Sequence, residues 1–263
     1  MIDAVTLNSA RISGQLDRDS ILKLLDNDIA AIHVPEFYPR TESAELSKRI
    51  AAHQALEAYE VQNSLKRLGM GYVDVGGEGG KAERYHSEAV ASIQEVRKLA
   101  YPLLTPVDHL RLLLEELWPL GAAIETVGEK KCFVGTCRVI EAGAAMLPHS
   151  DRFGRMRLDG LNDMSGQIAM NIYLQMPESG GDLQLWLRKP NEEQDERQRA
   201  TDGLTYEELG PPALAISPKN GDLVMFNSQL IHSVRASQGN VQRVTMSFFI
   251  GYRGEDKPLS YWS

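Results

Sequence analysis

The sequence predicts an α+β protein: a helix-rich N-terminal part, residues 1–130, packed on a β-rich part, residues 131–263, as one structural unit. Three observations carry this. Apolar residues recur at helical spacing in the first half, short β-prone runs fill the second, and no helical stripe separates those runs. Seven or eight short strands without crossover helices point to an antiparallel sandwich or barrel, such as a cupin-like jelly roll. With 263 residues, 43% of them apolar and 24% charged, the chain can bury a full core.

The elements follow in order. Met1-Ile2-Asp3-Ala4-Val5 carries an acid where a secretory signal carries basic residues, so no signal peptide is expected. Ala44, Leu46, Ile50, Ala51 and Leu56 follow helical spacing, with Thr41 or Ser43 placed to cap the start. Gly69-Met70-Gly71 and Gly76-Gly77-Glu78-Gly79-Gly80-Lys81 read as a flexible loop. They do not form a phosphate cradle: a Walker loop ending at Gly80-Lys81 needs glycine at Val75 and a hydroxyl at Ala82, and a dinucleotide fingerprint needs glycine at Asp74. Residues 89–99 read as a helix capped by Ser87. Val107, Leu110, Leu114 and Leu117 mark another, opened by Pro106 and closed before Pro119. Strands are expected at 132–141, 167–175, 182–187, 214–217, 222–226, 231–235 and 242–252, with Gly180-Gly181 and Asn220-Gly221 as turns. The charge-dense insertion 189–208 reads as a solvated loop or short helix in preference to a lid.

Charge and cysteine content exclude several classes. The balance of 28 basic against 36 acidic residues gives −8, which directs the protein away from nucleic acid. No stretch approaches the roughly 20 apolar residues that span a bilayer, so no membrane partner is expected. Cys132 and Cys137 lie five apart on one expected strand and project to opposite faces, which excludes a disulfide or zinc framework. A cytoplasmic location and a small-molecule partner are expected. No residue pattern sets an oligomeric state.

Chemistry is sought among the histidines. With 36 acids in 263 residues a His-x-acid pair is common by chance, so context decides between His86-Ser87-Glu88 and His149-Ser150-Asp151. The first fits a helix start, with Ser87 as cap and Glu88 at the positive end. The second follows a strand, and in extended chain residues two apart face one side, so His149 and Asp151 can reach one ion. His232, on a later strand, supplies a second imidazole. Two imidazoles and a carboxylate occupy one face of an octahedron and leave positions open, the arrangement of non-haem Fe(II) oxygenases, although zinc is compatible with the same residues. Arg243 and Thr245 share a face of the strand 242–252. A buried guanidinium clamps a dicarboxylate bidentately and the hydroxyl adds a bond, which implies a chelating oxo-acid cosubstrate.

In this order, His149-x-Asp151, His232 and Arg243-x-Thr245 on a β-rich half, the chain resembles the Fe(II)/2-oxoglutarate-dependent oxygenases, whose core is a double-stranded β-helix. Pro177-Glu178-Ser179-Gly180-Gly181-Asp182-Leu183 and Asn220-Gly221-Asp222-Leu223-Val224-Met225-Phe226-Asn227 look like its turns and strands. The resemblance is nearest to a small-molecule branch with hapalindole-type alkaloid halogenases and amino-acid-derivative hydroxylases. Those proteins have a helical N-terminal part, an insertion like 189–208 and, in some cases, an ending like Tyr261-Trp262-Ser263. The likeness covers residues 132–263 and extends to the first half only in texture.

The resemblance implies Fe(II) held by His149, Asp151 and His232, with 2-oxoglutarate chelated to it and its far carboxylate on Arg243 and Thr245. It implies O2-dependent hydroxylation of an unactivated C–H bond in an amino acid, an amino-acid derivative or a secondary metabolite, releasing succinate and CO2. Halogenases of the branch replace the ligand carboxylate with Gly or Ala, whereas this chain keeps Asp151. Hydroxylation or desaturation is therefore expected, and halogenation is not.

Further residues are candidates with ordinary structural readings beside them. Asn171 and Tyr173 can touch the cosubstrate or be satisfied interior polar groups. Arg138, Arg152 and Arg155 can hold an anionic substrate group or be structural arginines. Trp186 and Trp262 read as core, and His33, His53 and His109 have no companion ligand. Two other functions fit the residues less fully: a cupin-like metalloenzyme without 2-oxoglutarate, and a non-catalytic jelly-roll binding module.

Overall fold

Two sheets make the β-rich core of the computed structural model, which describes residues 11–59, 62–75, 80–151, 161, 163–200 and 203–263. The larger sheet runs Ile12–Ser13, Ala31–Val34, Leu223–Asn227, Gly166–Gln175, Arg243–Tyr252, Thr136–Ile140, Gln62–Leu68 and Glu57–Tyr59. Leu259–Trp262 pairs with Arg243–Tyr252 and, on its other side, with Ala122–Ile124. The smaller sheet has four strands in the order Leu214–Ile216, Leu183–Leu185, His232–Val234 and Met146–His149. This is the expected jelly-roll core with helices attached, and no barrel closes among the described residues.

The pleat explains why the central strands of the large sheet are buried on both sides. Alternate side chains point to opposite faces. One face carries Ile172, Leu174, Val244 and Met246, which share a core cluster with Leu46 and Ile50 of helix Arg40–Ala51 and Leu110 and Leu114 of helix Pro106–Leu117. The other face carries Asn171, Tyr173, Arg243, Thr245 and Ser247. One face thus packs on helices, while the other is polar and needs a different partner.

All seven expected strands are present, most of them shorter than the runs that announced them. The structure adds Met146–His149 and Leu259–Trp262, and the first half supplies strands as well as helices: Ala31–Val34, Glu57–Tyr59 and Gln62–Leu68 join the large sheet. Ala31–Val34 and Glu57–Tyr59 are too short to declare a period, and the apolar residues of Gln62–Leu68 do not alternate. Helix Arg40–Ala51 starts at Pro39 with no side-chain cap, so neither Thr41 nor Ser43 caps it, and it ends before Leu56. Ser87 is likewise interior to helix Lys81–Ala100, where its hydroxyl donates to the Arg84 carbonyl at 3.0 Å. Helix Pro106–Leu117 forms as expected, with Thr105 accepting from the Asp108 N–H. The insertion folds into helices Glu192–Ala200 and Tyr206–Leu209. Both cysteines are buried and free, and burial pushes each thiol up to about 12. No helix among the described residues is long and apolar enough to cross a membrane.

Two local devices yield predictions. Gly221 sits at φ +92°, and a Cβ there would meet the Tyr38 carbonyl oxygen at 2.2 Å. Gly239 has φ +85° but open space around it. A non-glycine residue in this region costs about 1–3 kcal/mol of backbone strain. Gly239→Ala should show that cost alone, and Gly221→Ala clearly more, in urea unfolding. Asp108 accepts from Nε and Nη2 of Arg97, at 2.9 and 2.7 Å, from Arg111 at 2.8 Å and from Thr105 at 2.9 Å. Burial opposes its charge, but these partners outweigh it and hold its carboxyl below the ordinary range. A lowered carboxyl stabilises the fold above its unfolded pKa of about 3.9, and that stability is lost as pH falls toward the lower folded value. Asp108→Asn should flatten this acid limb in a pH series of unfolding midpoints.

Candidate active site

His149 and His232 lie directly across from each other where the strands Met146–His149 and His232–Val234 pair. Their rings are therefore neighbours, with centroids 4.3 Å apart. The His149 Nδ1 stands 2.7 Å from the Leu147 carbonyl, and the His232 Nδ1 2.9 Å from the Leu230 carbonyl. A carbonyl only accepts, so each Nδ1 carries the hydrogen and each Nε2 presents a bare lone pair. Both imidazoles are held in the tautomer that binds metal.

Asp151 lies just past the strand end. Its backbone N–H donates to the Ser228 carbonyl at 2.8 Å, and the Ser228 hydroxyl donates to the Asp151 carbonyl at 3.3 Å. This turns the carboxylate toward the imidazoles: Oδ2 is 3.4 Å from the His232 Nε2 and Oδ1 is 3.9 Å from the His149 Nε2. One donor atom from each of the three residues falls within 4.8 Å of the others. Burial would raise the Asp151 pKa, but the neighbouring His232 and His149 side chains and Arg138 outweigh it and hold the carboxyl well below its ordinary range. The group is ionised at neutral pH, as a hard-cation ligand must be. Two imidazole nitrogens and one carboxylate oxygen suit a first-row divalent ion and leave open positions on it.

A second polar group lies on the large sheet. Arg243 is 4% exposed and Thr245 fully buried, and the guanidinium sits 5.0 Å over the Tyr173 ring. The Arg243 Nε, the Thr245 hydroxyl and the Tyr173 hydroxyl are all buried, with no hydrogen-bond partner among the described residues. Leaving such a group unsatisfied costs about 1–3 kcal/mol. Burial, with Arg138 adding to it and Tyr173 opposing, holds the Arg243 pKa below its ordinary value. A cation buried without a counter-charge beside orphaned hydroxyls is the donor set a carboxylate would complete.

Both groups open on one cavity of about 770 Å³ between the sheets. His149, Asp151, His232, Arg243, Arg138 and Asn171 line it, whereas Thr245 and Tyr173 are not among its lining residues. Arg138 donates through Nε to the Tyr59 hydroxyl at 3.2 Å and through Nη1 to the Ser247 hydroxyl at 2.8 Å. Burial opposes its charge, yet Tyr59 and the Asp151 carboxylate outweigh burial and raise its pKa. Arg152 and Arg155 lie outside the described residues.

The remaining histidines are occupied elsewhere. His33 pairs with Asp222 at 2.8 Å, His53 with Glu95 at 3.3 Å, His86 bonds the Lys131 carbonyl at 2.9 Å, and His109 stacks on Phe37. Trp186 and Trp262 are buried outside the cavity wall.

Two parts of the wall were not foreseen from the sequence. Tyr59, Gln62 and Ser64 reach the cavity from the first half. The alternation of Gln62 and Ser64 is the one local hint of a strand there. The insertion also contributes: Gln198 and Gly203 line the cavity, Gln198 Oε1 accepts from the Ser150 N–H at 3.0 Å, and Leu204 N–H donates to the Pro148 carbonyl at 2.7 Å. The expected solvated segment is therefore also a wall, pinned on either side of His149.

Known proteins share this arrangement of chain. The chain is 29% identical over 188 residues to the L-gamma-glutamyl-L-propargylglycine hydroxylase of Streptantibioticus cattleyicolor, covering 69% of this chain and 67% of that one. It superposes on an N-substituted L-amino acid dioxygenase of Burkholderia ambifaria, solved with alpha-KG, with a TM-score of 0.62 and 19% identity over 93% of this chain and 90% of that one. The second likeness speaks to the fold. The family described as carrier-protein-independent halogenase WelO5 matches residues 3–263. That match takes in the helices, both sheets and the cavity between them, and the chain belongs to this family.

Proposed function

We propose that the protein is a non-haem Fe(II)/2-oxoglutarate-dependent hydroxylase of a small molecule. The observation that carries the reading is the His149–Asp151–His232 donor set, with its carboxylate present, opening on the same cavity as the uncompensated Arg243. Hydroxylase and dioxygenase relatives support it.

The residues have separate tasks. His149, His232 and Asp151 hold the iron through two neutral imidazoles and one anion. Arg243 and Thr245 take the far carboxylate of 2-oxoglutarate, and Asn171 lies where it can touch the same molecule. Bound together, iron and 2-oxoglutarate supply the oxidising power: O2 delivers one oxygen to succinate and one to the substrate C–H bond, with loss of CO2. The protein orients one C–H bond and keeps bulk water out by its walls. Although the family is described as a halogenase, the Asp151 carboxylate takes the position a halide would need. Hydroxylation, or desaturation on the same machinery, is the reaction this donor set supports. Two free buried cysteines support a reducing, cytoplasmic setting.

Ligand that binds only the native state adds about 2.7 kcal/mol at a hundredfold excess over its dissociation constant, several degrees in unfolding temperature. Under anaerobic conditions Fe(II) should give such a shift, and 2-oxoglutarate a further one that requires the metal. Arg243→Leu should keep the first and lose the second, while His149→Ala should lose both. A metal-loaded wild type that neither shifts with 2-oxoglutarate nor consumes it would sink this reading and favour a cupin-like metalloenzyme. Absence of any metal shift would favour a binding module.

A further inference from the structure

The cavity holds a second cation that the cosubstrate does not account for. Arg243, Thr245 and Ser247 follow one another along one face of the strand Arg243–Tyr252. Arg138 pairs at its Cα with Thr245 but reaches along the strand to Ser247, so its guanidinium lies on the side of Thr245 away from Arg243. Ser247 is four residues from Arg243, roughly 13 Å of strand. Tyr59, on the outermost strand, holds the Nε from the other side. Among the described residues, the hydrogen-bond partners of Arg138 are these two neutral hydroxyls and no carboxylate.

Charge leads to the same place. Among the described residues the charged side chains lining the cavity are Arg138, Arg243 and Asp151. A divalent ion and a dianionic cosubstrate cancel each other. Among the described side chains, the two arginines against one aspartate then leave one positive charge in excess, inside a partly buried cavity where unpaired charge is costly. A monoanionic substrate restores neutrality.

Resting on the reading that the site uses iron and 2-oxoglutarate, we infer that Arg138 is the receptor for a carboxylate of the primary substrate, oriented by Tyr59 and Ser247. The substrate class is then a small carboxylic acid, with the C–H bond to be oxidised carried toward the His149–Asp151–His232 face. The apolar walls around that face include Phe226, Leu183 and Val234, which suit an aliphatic body behind the carboxylate.

The test uses N-acetyl derivatives of the common L-amino acids and their matching carboxamides, which differ only in the charge Arg138 would read. Succinate formation by the iron-loaded wild type should be triggered by at least one of the acids, and its carboxamide should be about 10- to 100-fold poorer, the worth of one charged hydrogen-bonded pair. Arg138→Gln should bring that ratio toward one while keeping the metal-dependent 2-oxoglutarate thermal shift, which also shows that the variant is folded. Tyr59→Phe, which leaves the guanidinium but frees it, should narrow the ratio part-way. Carboxamides as effective as acids, or no acid active in a wild type that still binds 2-oxoglutarate, would overturn the inference. So would loss of the 2-oxoglutarate shift in Arg138→Gln, since Arg138 would then serve the cosubstrate. A wild type without that shift would sink the functional reading itself.

Discussion

Everything at the site depends on the register between two short strands of the small sheet. His149 and His232 are remote in sequence and become neighbours only because their Cα positions pair across Met146–His149 and His232–Val234. A slip of one residue in either strand would turn its imidazole to the opposite face from its partner and dissolve the donor set. Several bonds hold this register. Each imidazole is tied to the carbonyl two residues before it, Asp151 is tied to Ser228, and the insertion grips Ser150 and Pro148. The three proposed metal ligands are thus brought together by bonds of the fold itself.

The large sheet contributes a different kind of preparation. Its inner face carries two arginines and several hydroxyls where a protein built for stability alone would carry aliphatic side chains. Among the described residues the Arg243 Nε and the Thr245 and Tyr173 hydroxyls have no partner, and neither guanidinium bonds a carboxylate. Such a face is destabilising in isolation and becomes favourable when anions complete it. The opposite face of the same strands, packed on Leu46, Ile50, Leu110 and Leu114, supplies the rigidity that tolerates this cost. The polar face and the structural face are separated by the thickness of a single pleated sheet.

The walls of the cavity come from chain segments that carry none of the metal ligands. Tyr59 belongs to the first half of the chain and Gln198 to the insertion, yet both face the space in front of the metal group. The helix-rich first half of the chain is therefore more than a buttress: its strands extend the large sheet and touch the cavity. Variation in these segments can alter the shape of the pocket without disturbing the donors, which suits a family whose relatives are described as both halogenases and hydroxylases.

Local rules were enough to read the chemistry. The spacings His149-x-Asp151 and Arg243-x-Thr245 place each pair on one side of an extended chain whatever the rest of the fold does, and the seven β-prone runs were readable because alternation and turn residues are local signals. Local rules could not show that Ala31–Val34 and Gln62–Leu68 are strands, or that Ser87 is not a cap. The first depends on a partner strand far away in sequence, and the second on where a helix begins. Nor could they aim Arg138, whose direction follows from Tyr59 and Ser247, residues brought beside it by sheet pairing on both sides. The sequence by itself picked out the side chains proposed for metal and anion chemistry. The tertiary structure decided which of them share a cavity, because sheet register is set by long-range burial that no short stretch of chain records.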